Sequence, residues 1–285
     1  MCTTCGCSDD QSVSLTHLPA GGPPAAHRHH SHEQAPEHEH AHGHASHDHA
    51  HAAGHAHCHG REHVARVESL NEPILAKNDA SAARNRGWFD GRGILALNLV
   101  SSPGSGKTTL LERTLRDLKD EFAISVVEGD QATTLDAERL RATGCNAVQI
   151  NTGAGCHLDA EMVARGLREL KPPASSLVMI ENVGNLVCPA LFDLGERAKV
   201  AILSVTEGED KPLKYPHMFR ASRLMLLNKI DLLAYVDFDI DRCIGHALRV
   251  NPELRVLQVS ATTGAGLQGW YDWLRAEKHD VDANA

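Results

Sequence analysis

Ser101-Ser102-Pro103-Gly104-Ser105-Gly106-Lys107-Thr108-Thr109 is a run of small residues closed by a lysine and two threonines. An apolar stretch, Ile94 to Val100, enters it, and a segment with Leu110, Leu111, Leu115 and Leu118 at helical spacing leaves it. Strand, glycine-rich loop and helix in that order form a phosphate cradle. Gly104, Ser105 and Gly106 let successive backbone N–H groups curl around an anion, and the following helix adds the positive end of its dipole. Lys107 is expected to reach the outer phosphates of a nucleotide, with the Thr108 hydroxyl on Mg²⁺ and Thr109 beside it. The usual phosphate-loop pattern opens on Gly, where this chain has Ser101.

Three further stretches extend the nucleotide reading. An apolar run from Ala123 to Val127 ends in Glu128-Gly129-Asp130, which puts Asp130 where it could help hold Mg²⁺ or orient a water. As an alternative, Asp130 could cap a helix beginning near Ala132. A run from Ser176 to Ile180 ends in Glu181-Asn182-Val183-Gly184-Asn185, an acid after a strand with Gly three residues on. Glu181 is expected to meet Mg²⁺ through water. Arg223 to Leu227 runs into Asn228-Lys229-Ile230-Asp231, a guanine-recognition pattern. The Asp231 carboxylate can accept two hydrogen bonds from the guanine edge, which adenine cannot offer. Val256 to Val259 leads into Ser260-Ala261, where a backbone amide would meet the guanine oxygen.

A second chemistry is written in soft and borderline metal ligands. Cys2, Cys5 and Cys7 stand within six residues around Gly6, a spacing that lets three thiolates converge on one ion; planar Ni²⁺ and tetrahedral Zn²⁺ both fit. From His27 to His63 the chain alternates histidine with Ala, Gly, Glu and Asp, a tract suited to holding several divalent ions loosely. Gly155-Cys156-His157 follows the apolar run Ala147 to Asn151 and precedes a helix expected over Leu158 to Leu170, whose dipole would favour the thiolate. Cys188 follows Glu181 on the next loop, so Cys156, His157 and Cys188 are expected to form one metal site. Cys145 and Cys243 are expected to pack.

These residues need a scaffold, and the composition bounds it. Of the 285 residues, 16 of the 20 histidines fall before residue 64, in a stretch too poor in apolar residues to fold. The expected organisation is a disordered tail over 1–63, short helices broken near Pro73 over 64–92, an α/β domain over 93–278 and a frayed end over 279–285. In the second segment Trp88 and Phe89 anchor the chain on the domain. The fold class is a doubly wound, mostly parallel α/β sheet of the P-loop type. A net charge of −9 without a basic stripe argues against nucleic acid. The absence of a long apolar run argues against a membrane span, and the lack of a signal pattern places the protein in the cytoplasm.

Taken together, Cys2-x-x-Cys5-Gly6-Cys7, the histidine tract, Ser101 to Thr108, Gly155-Cys156-His157, Glu181 to Asn185 with Cys188, and Asn228 to Asp231 resemble the HypB family, hydrogenase nickel-incorporation GTPases of the SIMIBI class. That resemblance covers nearly the whole chain and also accounts for Ser101 and Glu181. It implies slow GTP hydrolysis with Lys107, Asp130 and Glu181 in the catalytic region, a tight nickel site at Cys2, Cys5 and Cys7, and a dimer-interface site for Ni²⁺ or Zn²⁺ at Cys156, His157 and Cys188. It further implies a GTP-dependent homodimer that delivers nickel to the large-subunit precursor of [NiFe]-hydrogenase, together with HypA and in some cases a nickel peptidyl-prolyl isomerase. No lysine lies between Ser101 and Ser105 of the kind some SIMIBI relatives insert across the dimer. A urease-accessory relative would typically carry Cys-Pro-His, where this chain has Gly155-Cys156-His157. A metal-storage protein would have no need of base selectivity at Asp231.

Overall fold

The computed structural model describes residues 14–18, 60–130 and 135–284. The Cys2, Cys5 and Cys7 motif and the histidine tract as far as His59 lie outside them.

The apolar runs become the strands of one eight-stranded sheet: β1 (Ser14–Leu18), β2 (Leu95–Ser101), β3 (Ile124–Asp130), β4 (Asn146–Asn151), β5 (Leu177–Glu181), β6 (Ala198–Ser204), β7 (Ser222–Asn228) and β8 (Arg255–Gln258). Their order is β1-β4-β3-β5-β2-β6-β7-β8. Strands β2 to β8 pair in parallel, and only β1 is antiparallel, with Ser14 opposite Asn151. The chain lays β3 and β4 to one side of β2 and returns to insert β5 between β3 and β2. It then builds β6, β7 and β8 on the other side. Ligands bind at such a reversal, outside the carboxyl ends of the strands.

Helices α1 (Gly60–Asp90), α2 (Lys107–Leu118), α3 (Leu135–Arg141), α4 (Ala160–Leu170), α5 (Cys188–Leu191), α6 (Lys211–Lys214), α7 (Pro216–Ala221), α8 (Ile240–Val250) and α9 (Leu267–Ala283) connect and cover the strands, with a 3₁₀ turn at Ile230–Tyr235. Both faces of the sheet are therefore buried, which is why β2, β5 and β6 are buried at every residue and read as mostly apolar runs, interrupted inside the strands by Asn98 and Lys199. One core joins Leu110, Leu111, Leu115 and Leu118 of α2 to Trp270 and Leu274 of α9. A second joins Phe89, Val163 and Leu167 to Val127, Val148 and Ile180. A third, with Phe219 and Cys243, fills the space under α7 and α8.

Four expectations change. A single helix, α1, runs through Pro73 where a break was expected. The part from Pro73 onward is held by side chains: Asn78 donates to the Asp193 carbonyl at 2.8 Å, and Asn85 to those of Ala160 and Leu194 at 2.8 and 3.0 Å. Pro73 stands inside this helix, where it removes one backbone hydrogen bond without ending the helix. Phe89 is buried as expected, but Trp88 is exposed, with the Arg92 guanidinium over its ring at 5.0 Å. Residues 14–18 of the expected tail form an edge strand, with Leu15 packed against the second core. Finally, α9 extends to Ala283, past the expected frayed boundary. Arg223 and Arg197 pair with its buried Glu277 at 3.0 and 3.5 Å, so the charged end of this helix is tied to the sheet.

Candidate nucleotide and metal site

The carboxyl ends of β2, β3 and β5 open into one cavity of about 560 Å³, lined by Ser101 to Thr109, Glu128 to Asp130, Arg139, Glu181, Gly184 and Lys229. The loop out of β2 turns at Gly104 (φ 76°) and Gly106 (φ 90°), backbone conformations that a side chain disfavours. A Cβ on Gly106 would also lie 2.7 Å from Asn228 Nδ2. Helix α2 starts immediately afterwards at Lys107, so its free N–H groups face the cavity.

The loop is held from behind by the base-recognition segment. Asn228 donates to the Ser105 carbonyl at 2.9 Å and accepts from the Ala261 amide at 3.2 Å, while Lys229 donates to the Gly104 carbonyl at 2.7 Å. Phosphate loop, Asn228-Lys229 and buried Ser260-Ala261 are thus one hydrogen-bonded assembly. Asp231 is exposed at the start of the 3₁₀ turn and does not line the phosphate cavity. That suits a group meant for the far end of a nucleotide.

At the phosphate end, Glu181 collects the cationic and hydroxyl partners. Its Oε1 accepts from Lys107 Nζ at 2.8 Å and from Thr108 Oγ1 at 2.7 Å. Beside it in the parallel ladder stands Glu128, paired in register with Glu181 and equally buried. Burial, together with the Glu181 and Asp130 charges, pushes the Glu128 carboxyl up to about 8. Sequence reasoning passed over Glu128. The available signal was an acid inside an otherwise apolar strand, two residues before Asp130 and so on the same face. Asp130 ends β3 as expected. Helix α3 follows from Leu135. Arg139, also unforeseen, lines the cavity while bonded to Glu112 at 2.7 Å and Thr109 Oγ1 at 3.1 Å.

The buried Oε2 atoms of Glu128 and Glu181 and the Ser105 Oγ have no hydrogen-bond partner among the described residues. An unpartnered buried oxygen of Glu181, in a cavity that the Thr108 hydroxyl and the Asp130 carboxyl also line, is an oxygen donor of the kind a hard divalent cation takes, so these residues fit Mg²⁺.

The metal-ligand residues meet on the adjoining loops. One ligand atom each from Cys156, His157 and Cys188 lies within 4.8 Å of the others. Cys156 Sγ is 2.8 Å from Cys188 Sγ and 3.6 Å from His157 Nδ1. Burial holds the His157 imidazole below its ordinary value, partly opposed by Asp159, which favours the neutral, metal-binding ring. The helix end expected to favour the Cys156 thiolate is taken by Asp159, whose carboxylate accepts from the Met162 amide at 2.7 Å. Cys145 and Cys243 stand apart from this group, and burial pushes both thiols up, Cys243 to about 12.

A buried amide relay joins the two centres. Asn182, next to Glu181, accepts from the Leu158 and Val183 amides at 3.1 and 3.0 Å and donates to Asn98 of β2 at 3.2 Å. Asn98 donates in turn to Glu196 at 3.1 Å. Asn185 donates to the Cys156 carbonyl at 3.3 Å. A Cβ on Gly129 would sit 2.7 Å from Leu158, so β3 and the cysteine loop approach only because that residue is glycine.

The nucleotide-binding domain described as CobW/HypB/UreG matches residues 95–258, more than half of the chain. The hydrogenase maturation factor HypB of Rhizobium leguminosarum is 61% identical over 209 residues, 73% of this chain and 70% of the relative. The chain belongs to the HypB family. HypB of Escherichia coli is 57% identical over 213 residues, covering 75% of this chain and 73% of its own length. Among solved structures, HypB from Helicobacter pylori in complex with nickel matches with a TM-score of 0.67 at 39% identity, covering 72% of this chain and 96% of that one. HypB proteins are P-loop GTPases of the SIMIBI class, and the parallel sheet with its phosphate loop is the fold of that class. Among the described residues no helix is long and apolar enough to cross a membrane.

Proposed function

We propose that this chain is a GTP-hydrolysing nickel metallochaperone that serves the maturation of [NiFe]-hydrogenase in the cytoplasm. The observation that carries the proposal is a shared loop. Residues 181–188 run from Glu181, bonded to Lys107 and Thr108, to Cys188, in contact with Cys156. A nucleotide cradle and a thiolate-imidazole cluster joined this way suit metal delivery timed by GTP.

GTP would lie with its phosphates on Gly104 to Thr109 and its base against Asn228, Lys229, Asp231, Ser260 and Ala261. Thr108 would hold Mg²⁺ with Asp130, and Glu181 would meet it through water; the ion supplies charge neutralisation at the β- and γ-phosphates. Lys107 leaves its Glu181 partner to meet the γ-phosphate. Water attacks in line, and turnover is slow, because a switch needs a long-lived bound state. Ni²⁺ is cargo: Cys156, His157 and Cys188 hold it, with Zn²⁺ as the competing ion, and Cys2, Cys5 and Cys7 form the tighter site. The expected partners are a second copy of the chain in the GTP state, a HypA-type nickel chaperone, the hydrogenase large-subunit precursor and a nickel peptidyl-prolyl isomerase.

GTP hydrolysis measured with and without Mg²⁺, alongside Ni²⁺ titration of the parent and of Cys188→Ala, tests this reading. Mg²⁺-dependent phosphate release and a weakened nickel site in the variant are expected. A parent that binds no GTP would overturn it.

A further inference from the structure

Glu128 has no part in the function proposed above, yet it occupies one of the most constrained positions in the molecule. It is 3% exposed, on a central strand, and lines the phosphate cavity. The parallel ladder sets it beside Glu181, and the two-residue repeat of a strand puts Asp130 on the same face. Three carboxylates therefore converge on the ground in front of Thr108. The lysine that balances them, Lys107, is already engaged by Glu181 Oε1. Glu128 Oε2 and Glu181 Oε2 are both buried without a hydrogen-bond partner among the described residues. Two adjacent buried carboxyl groups with an unused oxygen each are costly to ionise together, and without metal Glu128 keeps its proton; a cation or its bound water can take those oxygens up in the proton's place.

We propose that Glu128 is a positioning carboxylate for the nucleotide's Mg²⁺, acting with Asp130 and Glu181 by holding the ion's water shell. The proposal rests on the nucleotide reading of this site. It separates two roles on β3: half-buried Asp130 at the end of the strand would hold the ion, and buried Glu128, two residues back, would orient its water. Such an outer carboxylate typically changes metal affinity by about 10- to 100-fold. It should leave the metal-free nucleotide contacts alone, because Glu128 lies off the loop that cradles the phosphates.

The test uses the full chain and a fluorescent, non-hydrolysable GTP analogue, with dissociation constants measured in excess EDTA and in saturating Mg²⁺. The readout is the ratio of the two, the gain conferred by Mg²⁺. Glu128→Gln should lower that gain at least about tenfold while affinity in EDTA stays equal, since Glu128 is off the phosphate loop and the amide keeps its size and polarity. A change that merely disturbed packing would weaken both conditions together, and that outcome would overturn the proposal, as would an unchanged gain. If Glu128→Gln fails to fold, Glu128→Asp decides, because withdrawing the carboxylate by one methylene should still reduce the gain. An equal gain in that variant overturns the proposal. A parent chain that binds no analogue in either condition refutes the nucleotide reading instead.

Discussion

At the scale of single residues, Asp231 and Glu128 are acids used in opposite ways. Asp231 is exposed beyond the phosphate cavity and waits for a base, so its effect appears only with nucleotide present. Asp231→Asn should weaken GTP at least about tenfold and admit xanthosine triphosphate, whose ring edge matches the exchanged amide. Competition binding of the two nucleotides measures this, and unchanged GTP affinity would refute the assignment. Glu128 acts on the fold itself. Its carboxyl titrates near 8 in the folded chain, against 4.5 ordinarily. Below about pH 4.5 both folded and unfolded states carry the proton, and no penalty arises. Between about 4.5 and 8 the unfolded state ionises first, so stability falls as pH rises, and above 8 the penalty is constant. Melting temperatures without metal or nucleotide should show the advantage of Glu128→Gln over the parent growing through that window. An advantage independent of pH would refute the buried-acid account. Asp231 was legible from the sequence because it stands in a four-residue pattern. Glu128 was not, because only strand pairing reveals that it stands beside Glu181.

At the scale of elements, the strands were legible because parallel strands covered on both faces must be mostly apolar. Their carboxyl ends were less so. Strands β3, β5 and β7 continue into Glu128-Gly129-Asp130, Glu181 and Asn228, polar residues that end an apolar pattern without ending the ladder. The amide relay was invisible in sequence, since Asn98, Asn182 and Glu196 are far apart in the chain and meet only through the order of β2 and β5. Asn182 fastens the loop that follows Glu181 to the amide of Leu158, the residue after His157. Asn182→Ala should cost about 1–3 kcal/mol, the usual penalty for stranding buried amides. It should also bring nickel affinities with GDP and with a non-hydrolysable GTP analogue toward one value, because the two loops would no longer move together. Equilibrium nickel titrations in the two nucleotide states decide it. Loss of stability with the affinity difference intact would leave Asn182 a packing residue.

At the scale of the whole molecule, the edge strand β1 sets a geometric limit on the tail. Ser14 is paired with Asn151, the last residue of β4, and the next residues of that chain lead to Cys156 and His157. The strand therefore enters the sheet at the end where the metal loops lie. Cys7 precedes Ser14 by 14 − 7 = 7 residues, at most about 25 Å of extended chain. The sequence alone suggested a long polar spacer between the cysteine motif and the domain, whereas β1 puts the cysteines on a short leash, with the histidine tract following it in the sequence. A leash of that length corresponds to an effective concentration on the order of millimolar. Nickel leaving one thiolate set would meet the other within the same molecule long before it met a second copy. Exchange between the Cys2, Cys5 and Cys7 motif and the Cys156, His157 and Cys188 cluster should then be first order, with a half-time that does not change on tenfold dilution. Stopped-flow absorbance of the nickel-thiolate bands can follow it, and a rate proportional to protein concentration would refute the leash. The tail would then be less a store beside the switch than its captive donor, reloading the same two loops after each turnover.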